Sequence, residues 1–128
     1  MSLKILFLCG HNAGRSIAAE SICKKIRPEI ISGSAGTEPS KGLNLNMVKA
    51  LQKKGFETKN LFPKNILSVG GLENWDMVIT MGCMKKNCPV IPKGVNHKDW
   101  NLPDPALDKG CIPEIIKKLI ENIKNLGY

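Results

Sequence analysis

The chain has 128 residues, 42% of them hydrophobic, which suits one compact domain over residues 1–128 and argues against a two-domain organisation. Its formal net charge of +8 favours negatively charged ligands such as oxyanions, phosphorylated groups or nucleic acid, and charge alone does not choose among them. No stretch approaches the roughly 20 apolar residues of a membrane span, so we expect no membrane partner.

The first predicted elements are a strand, a loop and a helix. Residues 3–8 form a short apolar run, which predicts a strand buried on both faces that ends on Cys9. Ser16 is a favourable N-cap for a predicted helix over residues 17–27, and Pro28 closes that helix. The loop between the two elements therefore begins at Cys9 and ends at Ser16.

Strands and helices continue to alternate along the rest of the chain. Residues 29–35 predict a second strand, residues 43–54 a second helix, and residues 76–81 and 95–100 the third and fourth strands. The last helix is the clearest, because apolar residues recur at helical spacing over residues 112–123 with lysines opposite them. The alternation predicts an α/β fold, a three-layer αβα sandwich around a four-stranded parallel sheet.

Three residues with side chains suited to catalysis each follow a predicted strand. They are Cys9, Cys83 and Asp104, which are far apart in the sequence. In parallel α/β sheets, ligands bind beyond the carboxyl ends of the strands. We therefore expect these three side chains to meet at one rim of the sheet.

The loop over residues 9–16 carries the most specific pattern in the chain. A helix N-terminus, backbone amides and a nearby Arg all stabilise a nucleophilic thiolate, and this loop would give Cys9 all three. Five residues separate Cys9 from Arg15, so successive N–H groups can surround a tetrahedral anion while the guanidinium binds two of its oxygens. Ser16 can donate its hydroxyl to the Cys9 sulfur. The predicted oxyanion-binding residues are Gly10, His11, Asn12, Ala13, Gly14 and Arg15.

The same pattern has a plainer interpretation, a buried Cys with an unrelated Arg six residues later. The position between a buried strand and a helix, and the ending Arg-Ser, favour the anion site. Asn12 tolerates a left-handed backbone and can hydrogen-bond across the loop. For His11, a part in substrate binding and a solvent-facing position both remain open.

These motifs resemble the low-molecular-weight protein tyrosine phosphatase superfamily over almost the whole chain. The residues that carry the resemblance are those at 7–16, 34–36 and 104–105. The segments at 80–89, 99–100 and 104–106 are similar to its arsenate reductase branch, which is coupled to thioredoxin or a related dithiol carrier. The resemblance implies a low-molecular-weight phosphatase-like fold without a cofactor. It also implies Cys9 as nucleophile, Arg15 as anion clamp and Asp104 as the acid that protonates the leaving oxygen.

Two further thiols separate a reductase from a phosphatase. A phosphatase resolves the cysteinyl intermediate with water, whereas a reductase resolves it with a second thiol. The resemblance implies that Cys83 attacks Cys9, that Cys88 then attacks Cys83, and that a dithiol protein such as thioredoxin reduces the resulting disulfide. A metal site would need two more ligands than these cysteines supply, so no metal is expected, and two unreactive loop cysteines are the remaining alternative.

The other cysteines and one missing tyrosine complete the comparison. Five cysteines and no signal-peptide core predict a reducing cytoplasm rather than structural disulfides. Cys23 is expected in the core, and Cys111 is expected to be structural or incidental. Phosphatases of this superfamily usually have Tyr where this chain has Ala106.

The sequence therefore favours arsenate reduction first and hydrolysis of phosphotyrosine or aryl phosphates second. A third hypothesis is a phosphoprotein- or nucleic-acid-binding module. The lysines of the chain are scattered, and its aromatic content of 5% offers few side chains on which bases could stack, so nucleic acid is not an expected partner. Arsenate or a phosphate-like oxyanion is the expected substrate.

Overall fold

The computed structural model describes residues 3–82, 90–103 and 109–126. Its strands and longer helices are β1 (Lys4–Cys9), α1 (Arg15–Ile26), β2 (Ile31–Gly36), α2 (Leu45–Lys53), β3 (Met77–Thr80), β4 (Asn96–Asp99) and α3 (Ile112–Lys124). Short 3₁₀ helices occur at Leu67–Val69, Leu72–Asn74 and Lys109–Cys111. Each predicted strand and helix is present, with ends that differ by a few residues.

The four strands form one parallel sheet, as predicted, and their order in the sheet is β2-β1-β3-β4. Strand β1 lies inside the sheet, with β2 on one side and β3 on the other. The chain thus continues to opposite sides of β1, and such a switch point opens a crevice at the carboxyl end of the central strand. The loop that follows Cys9 occupies that position.

The alternation of side chains along β1 divides the core between the two faces of the sheet. Ile5 and Phe7 are fully buried in the larger cluster, which α1, α2 and α3 share. Leu6 and Leu8 are buried in the smaller cluster, which residues 66–75 cover with two of the 3₁₀ helices. These two coverings and the sheet give the predicted three layers. Strand β4 differs from the others because all four of its residues are exposed.

The start of α1 corrects one detail of the sequence analysis. The helix begins at Arg15, and the Ala18 N–H donates to the Gly14 carbonyl at 2.9 Å, so Gly14 holds the N-cap position. Ser16 was predicted to be the N-cap, and this prediction is wrong. Its side chain is fully buried within the first helical turn, where its hydroxyl bonds to groups of the preceding loop instead of the helix backbone.

Candidate active site

The loop after β1 is held from outside through its carbonyl groups. Three of these carbonyls accept hydrogen bonds from backbone N–H groups of the segment between β2 and α2. The pairs are Glu38 N to Gly10 O at 2.8 Å, Ser40 N to His11 O at 3.0 Å and Asn44 N to Ala13 O at 2.8 Å. Because the carbonyls are engaged on the outer side, the loop can present its N–H groups to its inner side, which is the arrangement that an oxyanion needs.

Cys9 is only 7% exposed, and its sulfur contacts the loop that follows it. The Asn12 N–H donates to it at 3.3 Å, and the Ser16 hydroxyl lies 2.8 Å away. When Cys9 is a thiolate, the sulfur has no proton and the Ser16 hydroxyl is the donor. The predicted Ser16 contact is therefore present, and two hydrogen bonds stabilise negative charge on this sulfur.

Asn12 connects the loop to the body of the protein. Within the described ranges it is the one non-glycine residue with a positive φ, 50°, and its side chain is fully buried. Its Nδ2 donates to Ser16 Oγ at 2.7 Å, and its Oδ1 accepts from the Lys64 backbone N–H at 2.8 Å. The prediction of a left-handed Asn that hydrogen-bonds across the loop is confirmed.

The end of β2 supports the loop by close approach. A Cβ at Gly36 would lie 2.7 Å from the Gly10 carbonyl oxygen, which is too close, and it would also lie 3.0 Å from the Asn12 backbone nitrogen, which is a tight contact. Only glycine lets β2 end directly against the loop. This requirement explains the glycine of the Ser-Ala-Gly motif at residues 34–36.

A buried charge network lies behind the loop. Glu20 is 5% exposed, and its carboxylate accepts from the Ser34 hydroxyl, lies 3.5 Å from Lys64 Nζ and lies 2.6 Å from Lys24 Nζ. The Lys64 side chain is 12% exposed, and burial lowers its pKa while the Glu20 carboxylate opposes that shift. Lys64 was not among the predicted site residues, because it lies in a segment without helical or strand periodicity.

Arg15 connects the loop to the segments that follow β3 and β4. Its Nη1 donates to the Met81 carbonyl just after β3, and to the Leu102 carbonyl at 3.0 Å. Within residues 3–82, 90–103 and 109–126, Nε and Nη2 have no protein acceptor, so they are available to a bound anion. The guanidinium thus lies between the loop and two segments that lead to Cys83 and to Asp104.

Four further residues were predicted to belong to the site. Cys83, Cys88 and Asp104 lie outside the described residues. His11 is exposed, with Nδ1 3.1 Å from the Glu38 carbonyl oxygen. In the part of the chain that the structure describes, no three His, Cys, Asp or Glu side chains are grouped to hold a metal, and no helix is long and apolar enough to cross a membrane.

Two cysteines lie away from this centre. Cys23 is fully buried in α1, and burial raises the pKa of its thiol to about 11, so it stays protonated at neutral pH. Cys111 is half-buried at the start of α3. The core position expected for Cys23 is confirmed.

Known proteins resemble this chain in sequence and in fold. Residues 4–126 match the family described as low molecular weight phosphotyrosine protein phosphatase. An arsenate reductase of Bacillus subtilis (strain 168) is 37% identical over 112 residues, which cover 86% of this chain and 79% of that protein. The arsenate reductase structure from Archaeoglobus fulgidus DSM 4304 superposes with a TM-score of 0.80 at 26% identity, covering 94% of this chain and 95% of that one. A thioredoxin-dependent arsenate reductase from Corynebacterium glutamicum gives a TM-score of 0.75 at 30% identity, covering 96% of this chain and 59% of that one.

Proposed function

The chain belongs to the low molecular weight phosphotyrosine protein phosphatase family, and from this premise we propose that it is an arsenate reductase, which reduces arsenate to arsenite. The observation that carries the proposal is the Cys9 sulfur, held by the Ser16 hydroxyl and the Asn12 N–H inside a loop suited to an oxyanion. The similarity to arsenate reductases favours arsenate over a phosphate ester as substrate.

In the proposed first step, the loop N–H groups and Arg15 bind arsenate and the Cys9 thiolate attacks its arsenic. A sulfur–arsenic bond forms, and one arsenic–oxygen bond breaks. Asp104 gives a proton to the departing hydroxyl group of arsenate, which leaves as water, and arsenic stays in the +5 state. The fixed guanidinium and amide dipoles stabilise the charge that develops on the remaining oxygens.

In the proposed second step, arsenic is reduced. The Cys83 thiolate attacks the Cys9 sulfur, a Cys9–Cys83 disulfide forms, and the sulfur–arsenic bond breaks with its electron pair left on arsenic. Arsenite then departs in the +3 state, and the two electrons have come from the two thiolates. The position of Gly82, which precedes Cys83 in the sequence, supports this step, because a Cβ at Gly82 would lie 3.3 Å from Arg15 Nη1.

The third step regenerates the nucleophile. Cys88 attacks Cys83, so that the Cys9 thiolate is released and a Cys83–Cys88 disulfide remains. Thioredoxin or a similar dithiol protein then reduces that disulfide by exchange in a reducing cytoplasm. The thioredoxin dependence of the similar Corynebacterium glutamicum enzyme supports this donor.

Phosphate-ester hydrolysis is the second candidate function, and the family match favours it. The loop binds a tetrahedral oxyanion and does not itself distinguish phosphate from arsenate. Ala106 stands where the phosphatases usually have Tyr, so we expect weak hydrolysis of aryl phosphates at most.

The test couples arsenate reduction to NADPH consumption through thioredoxin and thioredoxin reductase. Wild type is expected to consume NADPH only when arsenate is present, and Cys83→Ser is expected to abolish the turnover. Cys23→Ala is the matched control, because Cys23 is buried in the core, and it is expected to turn over like wild type. The reductase proposal is wrong if wild type hydrolyses an aryl phosphate rapidly and shows no arsenate turnover with thioredoxin or glutaredoxin, and if Cys83→Ser hydrolyses the aryl phosphate as fast as wild type.

A further inference from the structure

A second charged side chain faces Arg15 across the ends of β3 and β4. Asp99 is the last residue of β4 and pairs with Thr80, the last residue of β3. Its Oδ1 accepts from the Thr80 hydroxyl and from the Gly82 N–H at 3.0 Å, and its Oδ2 accepts from the Asn101 N–H at 3.3 Å. The carboxylate therefore continues the connection between the two strands beyond the last paired residues.

Arg15 and Asp99 hold the same peptide group from opposite sides. The peptide between Met81 and Gly82 offers its carbonyl to Arg15 Nη1 and its N–H to Asp99 Oδ1. These two groups point in opposite directions in a trans peptide. With both ends bound, the plane of this peptide cannot rotate without loss of a charge-assisted hydrogen bond.

The same two side chains also hold the segment that leads towards Asp104. Arg15 Nη1 donates to the Leu102 carbonyl, and Asp99 Oδ2 accepts from the Asn101 N–H. The guanidinium is half-buried and lies on the inner side, whereas Asp99 is exposed and lies on the outer side. Together they clamp the two stretches of chain that enter the segments with Cys83 and Asp104.

The backbone at Gly82 shows why this position has to be held. Its φ is +81°, a conformation that other residues rarely adopt. A Cβ there would lie 3.1 Å from the Leu102 carbonyl oxygen and 3.3 Å from Arg15 Nη1. Glycine admits the close approach of the guanidinium but leaves the backbone free to turn, so the hydrogen bond to Asp99 supplies the restraint that a side chain would otherwise give.

We propose that Asp99 is a positioning residue for the thiol relay, which holds the Met81–Gly82 peptide so that the chain enters the segment with Cys83 in the orientation that thiol attack on Cys9 needs. This inference rests on the proposed reductase function. Asp99 acts through the peptide, whose Gly82 N–H donates to its carboxylate. Its loss should therefore slow the formation of the disulfide while the anion-binding loop stays intact.

The chain offers a control carboxylate at the amino end of the neighbouring strand, β3. Asp76 is exposed, directly precedes β3 and accepts from the Lys4 backbone N–H at 2.8 Å. Asp76→Ala thus removes a similar carboxylate-to-amide bond at the amino end of the sheet, away from Cys9. If the loss of a carboxylate-to-amide bond slowed the reaction wherever it occurred in the sheet, both alanine variants would be slow.

The test is a single turnover of the fully reduced full-length protein with arsenate and no external reductant. Rapid quenching follows the release of arsenite and the loss of two thiols. In parallel, alkylation of Cys9 by iodoacetamide, read by mass spectrometry, and its protection by arsenate report the loop and anion binding. Asp99→Ala is expected to slow disulfide formation about 10- to 100-fold, the scale of a misplacement near 1 Å, with Cys9 alkylation and arsenate protection unchanged.

Asp99→Asn retains one acceptor oxygen for Gly82 but loses the bond to Asn101, so its rate is expected to lie between those of wild type and Asp99→Ala. Asp76→Ala is expected to react like wild type. The inference is overturned if Asp99→Ala and Asp76→Ala change the rate by the same factor, or if neither changes it. If wild type itself releases no arsenite, the proposed function fails and this inference fails with it.

Discussion

The two sides of the site are built in different ways. On one side, the Cys9 loop is held by Asn12 and Ser16, whose side chains are fully buried. On the other side, the ends of β3 and β4 are held by the exposed Asp99 and by Arg15. Hydrogen bonds between desolvated groups are costly to break, whereas bonds open to solvent exchange readily with water. The difference suits the proposed reaction. Anion binding needs a loop of fixed geometry, whereas disulfide formation needs the Cys83 thiol to approach the Cys9 sulfur.

Arg15→Lys is expected to give the largest effect, because Arg15 belongs to both sides. Lysine keeps the charge but cannot bind an anion with a planar fork while it also donates to two carbonyls. We expect kcat/KM for arsenate to fall about 10²- to 10³-fold in the thioredoxin-coupled assay. Arg27→Lys is the control, since Arg27 donates to carbonyls at the end of α3, among them those of Ile123 and Leu126. Equal losses in the two variants would contradict the assignment.

Asn12→Ala tests the buried side alone. The substitution removes the hydrogen bond to Ser16 and leaves the Lys64 N–H without its acceptor. It also places alanine at a φ of 50°, a left-handed conformation that alanine tolerates less well than asparagine. We expect the free energy of unfolding to fall by about 3 kcal/mol and arsenite release to slow roughly tenfold or more. Urea denaturation and single turnover measure the two effects.

Asn12→Gly separates the two causes of that loss. Glycine accepts the positive φ without strain but lacks the amide, so it is expected to recover only part of the stability. Wild-type stability in Asn12→Ala would show that the buried hydrogen bonds do not fix the loop.

Lys64→Met tests the support behind the loop. Removal of one partner from a buried ion pair costs roughly 3 to 5 kcal/mol when the other charge is left alone. Here Lys24 still lies 2.6 Å from the Glu20 carboxylate, so we expect a smaller loss of stability in urea, about 2 kcal/mol. The double variant Glu20→Gln/Lys64→Met is expected to lose less than the sum of its single changes. Additive losses would show that the two residues are not coupled.

Cys23 tests a position away from the site, because its thiol is fully buried in the core. Its pKa is about 11 in the folded protein against 9.0 as the ordinary value, so between pH 9 and 11 the unfolded chain loses a proton that the folded protein keeps. The stability from this thiol is complete below pH 9 and is lost as pH rises to 11, by about 2 kcal/mol. Urea denaturation at several pH values should show this decline in wild type and not in Cys23→Ala. The same slope in both proteins would contradict it.

Local sequence patterns predicted the strands, the helices and the loop after β1. They did not predict contacts between residues that are distant in the sequence. The contact between Cys9 and Ser16 was foreseeable because only six residues, in one tight loop, separate them. Local preference also misled at Ser16, since tertiary contacts drew its hydroxyl away from the helix cap. Lys64 and Asp99 reach the site through an irregular segment and through the pairing of β3 with β4, and neither leaves a periodic signal.

In the proposed reaction, Cys9 begins a thiol relay that delivers two electrons to arsenate. The most direct measurement mixes reduced protein with one equivalent of arsenate, without a reductant, and counts arsenite, free thiols and disulfides by mass spectrometry. We expect one arsenite per chain, three free thiols of the five and a Cys83–Cys88 disulfide, with none of these products in Cys9→Ser. Five free thiols with arsenate unchanged, or equal arsenite release by Cys83→Ser, would contradict it.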